Sequence, residues 1–159
     1  MNDVNFEVLE KGFGIALWRN VVIQMSLSDP NEARMRATRQ AGRKLMTQTR
    51  GPIGAVIVVG PKCPVPDAVA REHAVGFLSD MRERARGVCL VFEGDGFLAA
   101  ASRLAMVGMI SAARFPFEYK IARYDSEADV FLRQHLDAWS AGELVSAINR
   151  LRVRIPVDS

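Results

Sequence analysis

The chain reads as an α/β protein, a mixed sheet of four to five strands with helices packed on it. Three observations predict this class. The run Ile53–Val59 is apolar throughout, as strands buried on both faces are. The segment Asp29-Pro30-Asn31-Glu32 spells a helix start, with a capping residue, a proline suited to the first helical position and a glutamate three after the cap. From there to the end of the chain, strand and helix patterns take turns, which calls for parallel crossovers in the later part of the sheet.

Each element follows from its local pattern. Phe6-Glu7-Val8-Leu9-Glu10 alternates like a half-buried strand, and Lys11-Gly12 signals a turn. Phe13 to Met25, rich in Ile, Val and Trp, predicts one bent strand, or a strand plus an extended edge segment, interrupted at Arg19-Asn20. The first helix is expected from Asp29 to about Thr47. Its inward face carries Met35, Thr38, Ala41, Gly42, Leu45 and Met46, whose small members allow close approach to a sheet. The second helix is expected from Asp67 to Ala85, with Ala70, Ala74, Phe77, Leu78, Met81 and Ala85 inward and Arg71, Glu72, Asp80, Arg82 and Glu83 in water. Gly87 should end it, and Val88–Phe92 should be a second buried strand. Glu93-Gly94-Asp95-Gly96 then turns into a third helix, Phe97 to Ala113, which Asp95 would cap and Pro116 would stop. Tyr119–Tyr124 reads as the last strand. Two short helices follow, one from near Ser126 and one from Ser140, where Glu143 completes a second capping box. The expected order is β-β-α-β-α-β-α-β-α-α.

Composition bounds the class further. With 159 residues, 49% hydrophobic and 25% charged, the chain has the make-up of one soluble domain, 1–159. Its core is expected at about 5–136, with a C-terminal helix and tail at 137–159. Two cysteines and two histidines make neither a disulfide framework nor a metal site, so no metal and no cofactor is expected. The polar start Met1-Asn2-Asp3-Val4-Asn5 lacks a secretory pattern, and the apolar stretch 97–113 is short and carries Arg103. A cytoplasmic location is therefore expected, with no integral membrane part.

This order of elements resembles the STAS fold of bacterial anti-sigma-factor antagonists. Ile53–Val59 is similar to the family's central strand, Gly87–Phe92 with Phe97–Ala113 to its next strand and helix, and Tyr119–Tyr124 with Ser126-Glu127-Ala128-Asp129-Val130-Phe131-Leu132 to its last strand and closing helix. The similarity covers roughly residues 5 to 136. It implies a protein-binding scaffold. The family's regulated members carry a phosphorylatable hydroxyl just before the second helix, where a phosphate meets free amides and the helix dipole. Here that place is Gly60-Pro61-Lys62-Cys63-Pro64-Val65-Pro66-Asp67, with three prolines and no hydroxyl, so that switch cannot operate there.

Cys63 stands ahead of a helix, where a thiolate is stabilised, and is the one residue that would support an enzyme with a reactive cysteine; the plainer reading is a small residue in a rigid loop. Cys89 lies in an apolar strand and reads as core. Neither His73 nor His135 has the companions of a catalytic triad. No glycine-rich phosphate loop, HExxH or nucleophile elbow occurs. Between Glu32 and Arg50 one acid faces six bases, and Arg36, Arg39, Arg43 and Lys44 form a stripe on the first helix. It suits an acidic partner or an anionic surface, and it has no interleaved aromatic, which argues against nucleic acid. The third helix is apolar on nearly every side and must be covered, either by the C-terminal helix or by a partner. Leu104, Met106, Gly108 and Met109 are its candidate interface.

The expectation from sequence is thus a non-catalytic regulatory module that binds another protein and pairs with itself through the third helix. Its contact surfaces would be the basic stripe or the loop with Lys62, Cys63 and Asp67, and peripheral membrane contact stays open. The alternative is a carrier of lipid or another apolar small molecule, lined by the third helix with Phe77, Leu78 and Met81.

Overall fold

Among residues 3–136 and 139–156, which the computed structural model describes, the chain forms six strands and five helices. In chain order these are β1 (Val4–Glu10), β2 (Phe13–Trp18), β3 (Val21–Ser26), α1 (Glu32–Gln48), β4 (Ile53–Val59), α2 (Ala68–Met81), β5 (Ala85–Phe92), α3 (Phe97–Ala113), β6 (Glu118–Ala122), α4 (Asp125–Leu136) and α5 (Glu143–Arg154). The α/β class and the parallel crossovers match the sequence reading. The strand count does not, because Phe13–Met25 is a hairpin rather than one bent strand. Arg19 takes a left-handed φ of 52°, and the two-residue turn Arg19-Asn20 folds β3 back on β2 with Trp18 paired to Val21. Asn20 then ties the turn to the next crossover, its amide donating to the Pro52 carbonyl (2.9 Å) and its carbonyl accepting from Gly54 N–H (3.0 Å).

The six strands lie side by side in chain order. The β1–β2 and β2–β3 pairs are antiparallel, and β3–β4, β4–β5 and β5–β6 are parallel. Crossovers of one hand that all advance in one direction put their helices on one face. Accordingly α1, α2 and α3 cover one side of the sheet and α4 and α5 the other. Side chains in β4 divide between two cores: Ile53, Ala55 and Ile57 pack with Leu45, Phe77 and Ile110, while Val56 and Val58 pack with Leu132, Ile148 and Leu151. The strand order never reverses within the parallel part, so the sheet lacks the switch-point crevice in which open α/β proteins bind their ligands.

Close approach explains two glycine sites. Gly54 and Gly87 are register partners on β4 and β5, and a Cβ on either would meet Leu132 or Leu136 of α4 within about van der Waals contact or closer. Gly87 is therefore a seat for α4 inside a strand, not the end of a helix. The second helix stops at Met81, and Ala85 already pairs with Ile53. Gly42 of α1 receives the Phe77 ring, which lies 2.8 Å from where its Cβ would be, so the small residues of α1 admit α2 rather than the sheet.

Three expected caps differ. The N-cap of α1 is Asn31, accepting from Arg34 N–H at 2.9 Å, while Asp29 accepts from the Asn31 side-chain amide. At α3 the cap position is Gly96, with no side-chain cap, and Asp95 instead pairs with Arg123. At α5 the cap position is Gly142, and the helix start is served from α4. There Asp129, 3% exposed, accepts from Gly142 N–H (3.0 Å), Leu144 N–H (3.0 Å), the Trp139 indole (3.1 Å) and Arg133 (2.9 Å). Burial pushes its carboxyl up, and these four donors outweigh that and hold it below its ordinary value. The expected C-terminal helix runs to Arg154, with Ile155 buried and Pro156 accepting from Gly12 N–H, and the end of the expected tail, 157–159, lies outside the described residues.

Candidate functional site

The basic stripe of α1 is engaged within the chain. Arg39 donates to both carboxylate oxygens of Asp80 on α2 (2.7 and 3.2 Å), and Arg43 donates to the same carboxylate (3.0 Å). The side-chain hydrogen bond from Arg39 is the main reason that Asp80 sits below the usual carboxylate range. Lys44 pairs with Glu7 on β1 at 2.9 Å, and Arg36 with Glu32 one turn earlier on α1. Arg34, at the edge of the stripe, donates to the carbonyls of Lys11, Ser28 and Asp29 and ties the first hairpin turn to the start of α1. These charges clamp the α1 layer.

In the loop after β4 the three candidates separate. Lys62 is exposed, Asp67 caps α2 by accepting from Ala70 N–H (2.9 Å), and Cys63 is buried. Burial pushes the Cys63 thiol up to about 11, against a smaller downward pull from Arg34 and a small upward push from Asp29. The dipole of α2 therefore does not produce the thiolate that the loop position suggested. Cys89 is pushed up to about 12 by burial in β5. His73 Nε2 on α2 lies 3.5 Å from Glu32, and His135 Nδ1 on α4 lies 2.8 Å from the Phe131 carbonyl, so the two histidines sit on opposite sides of the sheet. Among the described residues no three His, Cys, Asp or Glu side chains group to hold a metal ion.

The third helix is where the fold leaves an unfinished surface. Alanine, leucine and methionine favour the helix, and Arg114, at a left-handed φ of 52°, ends it with its N–H on the Ile110 carbonyl. Although apolar on nearly every side, α3 buries Ala99, Ser102 and Ile110. Phe97 is 89% exposed and Leu104 74% exposed. Gly108 shares their face, and a Cβ there would meet nothing within 4 Å. The C-terminal helix, expected as one cover for α3, packs on the opposite side of the sheet through Leu144, Ile148 and Leu151. Between α2 and α3 runs an open groove lined by Ala68, Arg71, Glu72, Val75, Ala105 and Met109.

Met106 turns inward instead, and Met109, which borders that groove, also reaches inward. They line a cavity of about 50 Å³ under α3, where α1, α2 and the ends of β3, β4 and β5 meet. Phe77 and Leu78 share its wall, and Met81 is buried elsewhere in the same core. Its polar members are Gln24, Ser26, Thr38 and Ser102, of which only Thr38 was read from the sequence, as part of the inward face of α1. A glutamine and a serine inside the otherwise apolar β3 were the available signal. The structure thus brings Cys63, Phe77, Met106 and Met109 to one cavity, puts Leu104 and Gly108 on the outer face of α3, and leaves Arg36, Arg39, Arg43 and Lys44 on α1.

Compared with models of protein families, with curated proteins and with solved structures, the chain matches none.

Proposed function

We propose that this protein is a non-catalytic regulatory interaction module, similar to an anti-sigma-factor antagonist without its phosphoswitch. It pairs with itself through the outer face of α3 and holds another protein there or beside it. The observation that carries this reading is the exposure of Phe97 and Leu104 on a helix with no acidic residue and no cover among the described residues. Gly108 and its small neighbours Ala105 and Ala112 let a second helix approach closely, which supports a helix-on-helix contact. Asp67 supports the loss of switching: its carboxylate stands permanently at the start of α2, where the resembled family keeps a hydroxyl. The basic stripe takes a lesser part in this reading, since its side chains already bind Glu7, Glu32 and Asp80.

Replacing a central apolar anchor by a charge tests this directly. Leu104→Glu should raise the dimer dissociation constant by roughly thirtyfold or more, the scale of an interface hot spot, in sedimentation equilibrium. Its far-ultraviolet circular dichroism should stay unchanged, because Leu104 faces solvent in the single chain. An unaltered dissociation constant would place the contact elsewhere.

A further inference from the structure

We propose that the cavity beneath α3 is a binding site for a small neutral amphiphile, a short apolar chain whose hydroxyl or amide head hydrogen-bonds to Ser102. This goes beyond the interaction reading and does not depend on it. Two independent observations meet at this place. The first is the cavity itself, about 50 Å³, walled mainly by apolar side chains such as Ile57, Phe77, Leu78 and Phe92. The second is the Ser102 hydroxyl, which lines it, belongs to a residue only 5% exposed, and has no hydrogen-bond partner among the described residues. Buried polar atoms in folded proteins are nearly always paired, and an orphan beside a cavity marks the place of a missing partner.

The other polar groups of the wall narrow the ligand. Ser26 donates to the Gln24 side-chain carbonyl (3.2 Å), Gln24 donates to Thr38 (3.1 Å), and Thr38 donates to the Arg34 carbonyl (3.0 Å). That relay is satisfied within the protein and leaves Ser102 as the anchoring group. Among the described residues no lining side chain is an Asp, Glu, Lys, Arg or His. A charged head would lose its hydration without a counter-ion, so the site selects neutral molecules. The size sets the scale: a cavity of about 150 Å³ holds benzene, so this one takes the head and first carbons. Met106 and Met109 form the α3 side, and their flexible thioethers admit the rest of a short chain by changing rotamer.

The test follows methionine methyl resonances of the full-length protein during titration with 1-butanol and, separately, with butyrate. Expected are saturable shifts of Met106 and Met109 with butanol, and none with butyrate. Ser102→Ala should weaken butanol binding about tenfold, the loss of one hydrogen bond. Ala74→Leu, which fills the cavity from α2, should abolish the shifts and raise the melting temperature. Absence of saturable shifts with butanol overturns the proposal, as does equal affinity for butyrate or an unchanged affinity in Ser102→Ala.

Discussion

Cys63 and Asp129 show how far a single residue's chemistry depends on what the fold puts around it. The loop position of Cys63 suggests a reactive thiolate, yet the side chain is 3% exposed and its thiol is pushed up to about 11 by burial. At pH 8 only about one such thiol in a thousand is ionised. Neither Cys63 nor Cys89 should react with a chromogenic disulfide in the folded protein, and both should react in denaturant; rapid reaction of the folded protein would contradict this. Asp129 was illegible in sequence because its partners Gly142 and Leu144 lie across a turn and Trp139 becomes a neighbour only through that turn. Asp129→Ala should cost about 3 kcal/mol in urea unfolding at pH 7, since it strips a buried start of α5 of its acceptor. The carboxyl sits lower in the folded than in the unfolded chain, so its contribution is present above the ordinary aspartate value of about 3.9 and fades as pH falls through the folded value. The wild type should therefore lose more stability than the variant between pH 5 and acid, and an equal loss in both would contradict this account.

At the scale of elements, periodicity was the legible signal. The inward faces of α1 and α2 read from the sequence include Met35, Thr38, Ala41, Leu45, Ala70, Phe77, Leu78 and Met81, all of them buried. Misreadings fall where one residue serves two roles. Arg19-Asn20 lacks the glycine that usually betrays a hairpin turn, so two strands looked like one. Gly87 looks like a helix terminator in one dimension and is a seat for α4 in three. The intrachain partners of the α1 stripe, Asp80 and Glu7, were not legible because they are far off in sequence. Two of its members, Arg39 and Arg43, bind Asp80 and link α1 to α2. Asp80→Ala should thus lower stability by about 1 kcal/mol, as for a partly exposed ion-pair network, while the dimer dissociation constant stays put. Arg39→Glu should cost more, because it sets a second carboxylate beside Asp80. A dissociation constant that moves with these substitutions and not with Leu104→Glu would return the stripe to the role of a contact surface.

For the whole molecule, the sequence indicates which segments alternate but not how strands are ordered or which face each helix takes. Those depend on pairings such as Val21 with Gly54 and Gly87 with Glu118, which local pattern does not encode. The assembled order has two consequences for function. It puts all three crossover helices on one side, so the sheet has no switch-point crevice. It also sends α5 to the far face, so that α3, apolar on nearly every side, keeps Phe97 and Leu104 in the open. Among the described residues no helix is long and apolar enough to cross a membrane. Under the proposed function, association with a second chain is what covers this exposed helix face. The most direct test is native mass spectrometry of the protein purified gently at micromolar concentration. A mass of two chains, alone or with a further protein, is the expected result, and Leu104→Glu should return the mass of one chain. A wild-type protein that stays a single chain with nothing bound would contradict the claim that α3 is a contact surface.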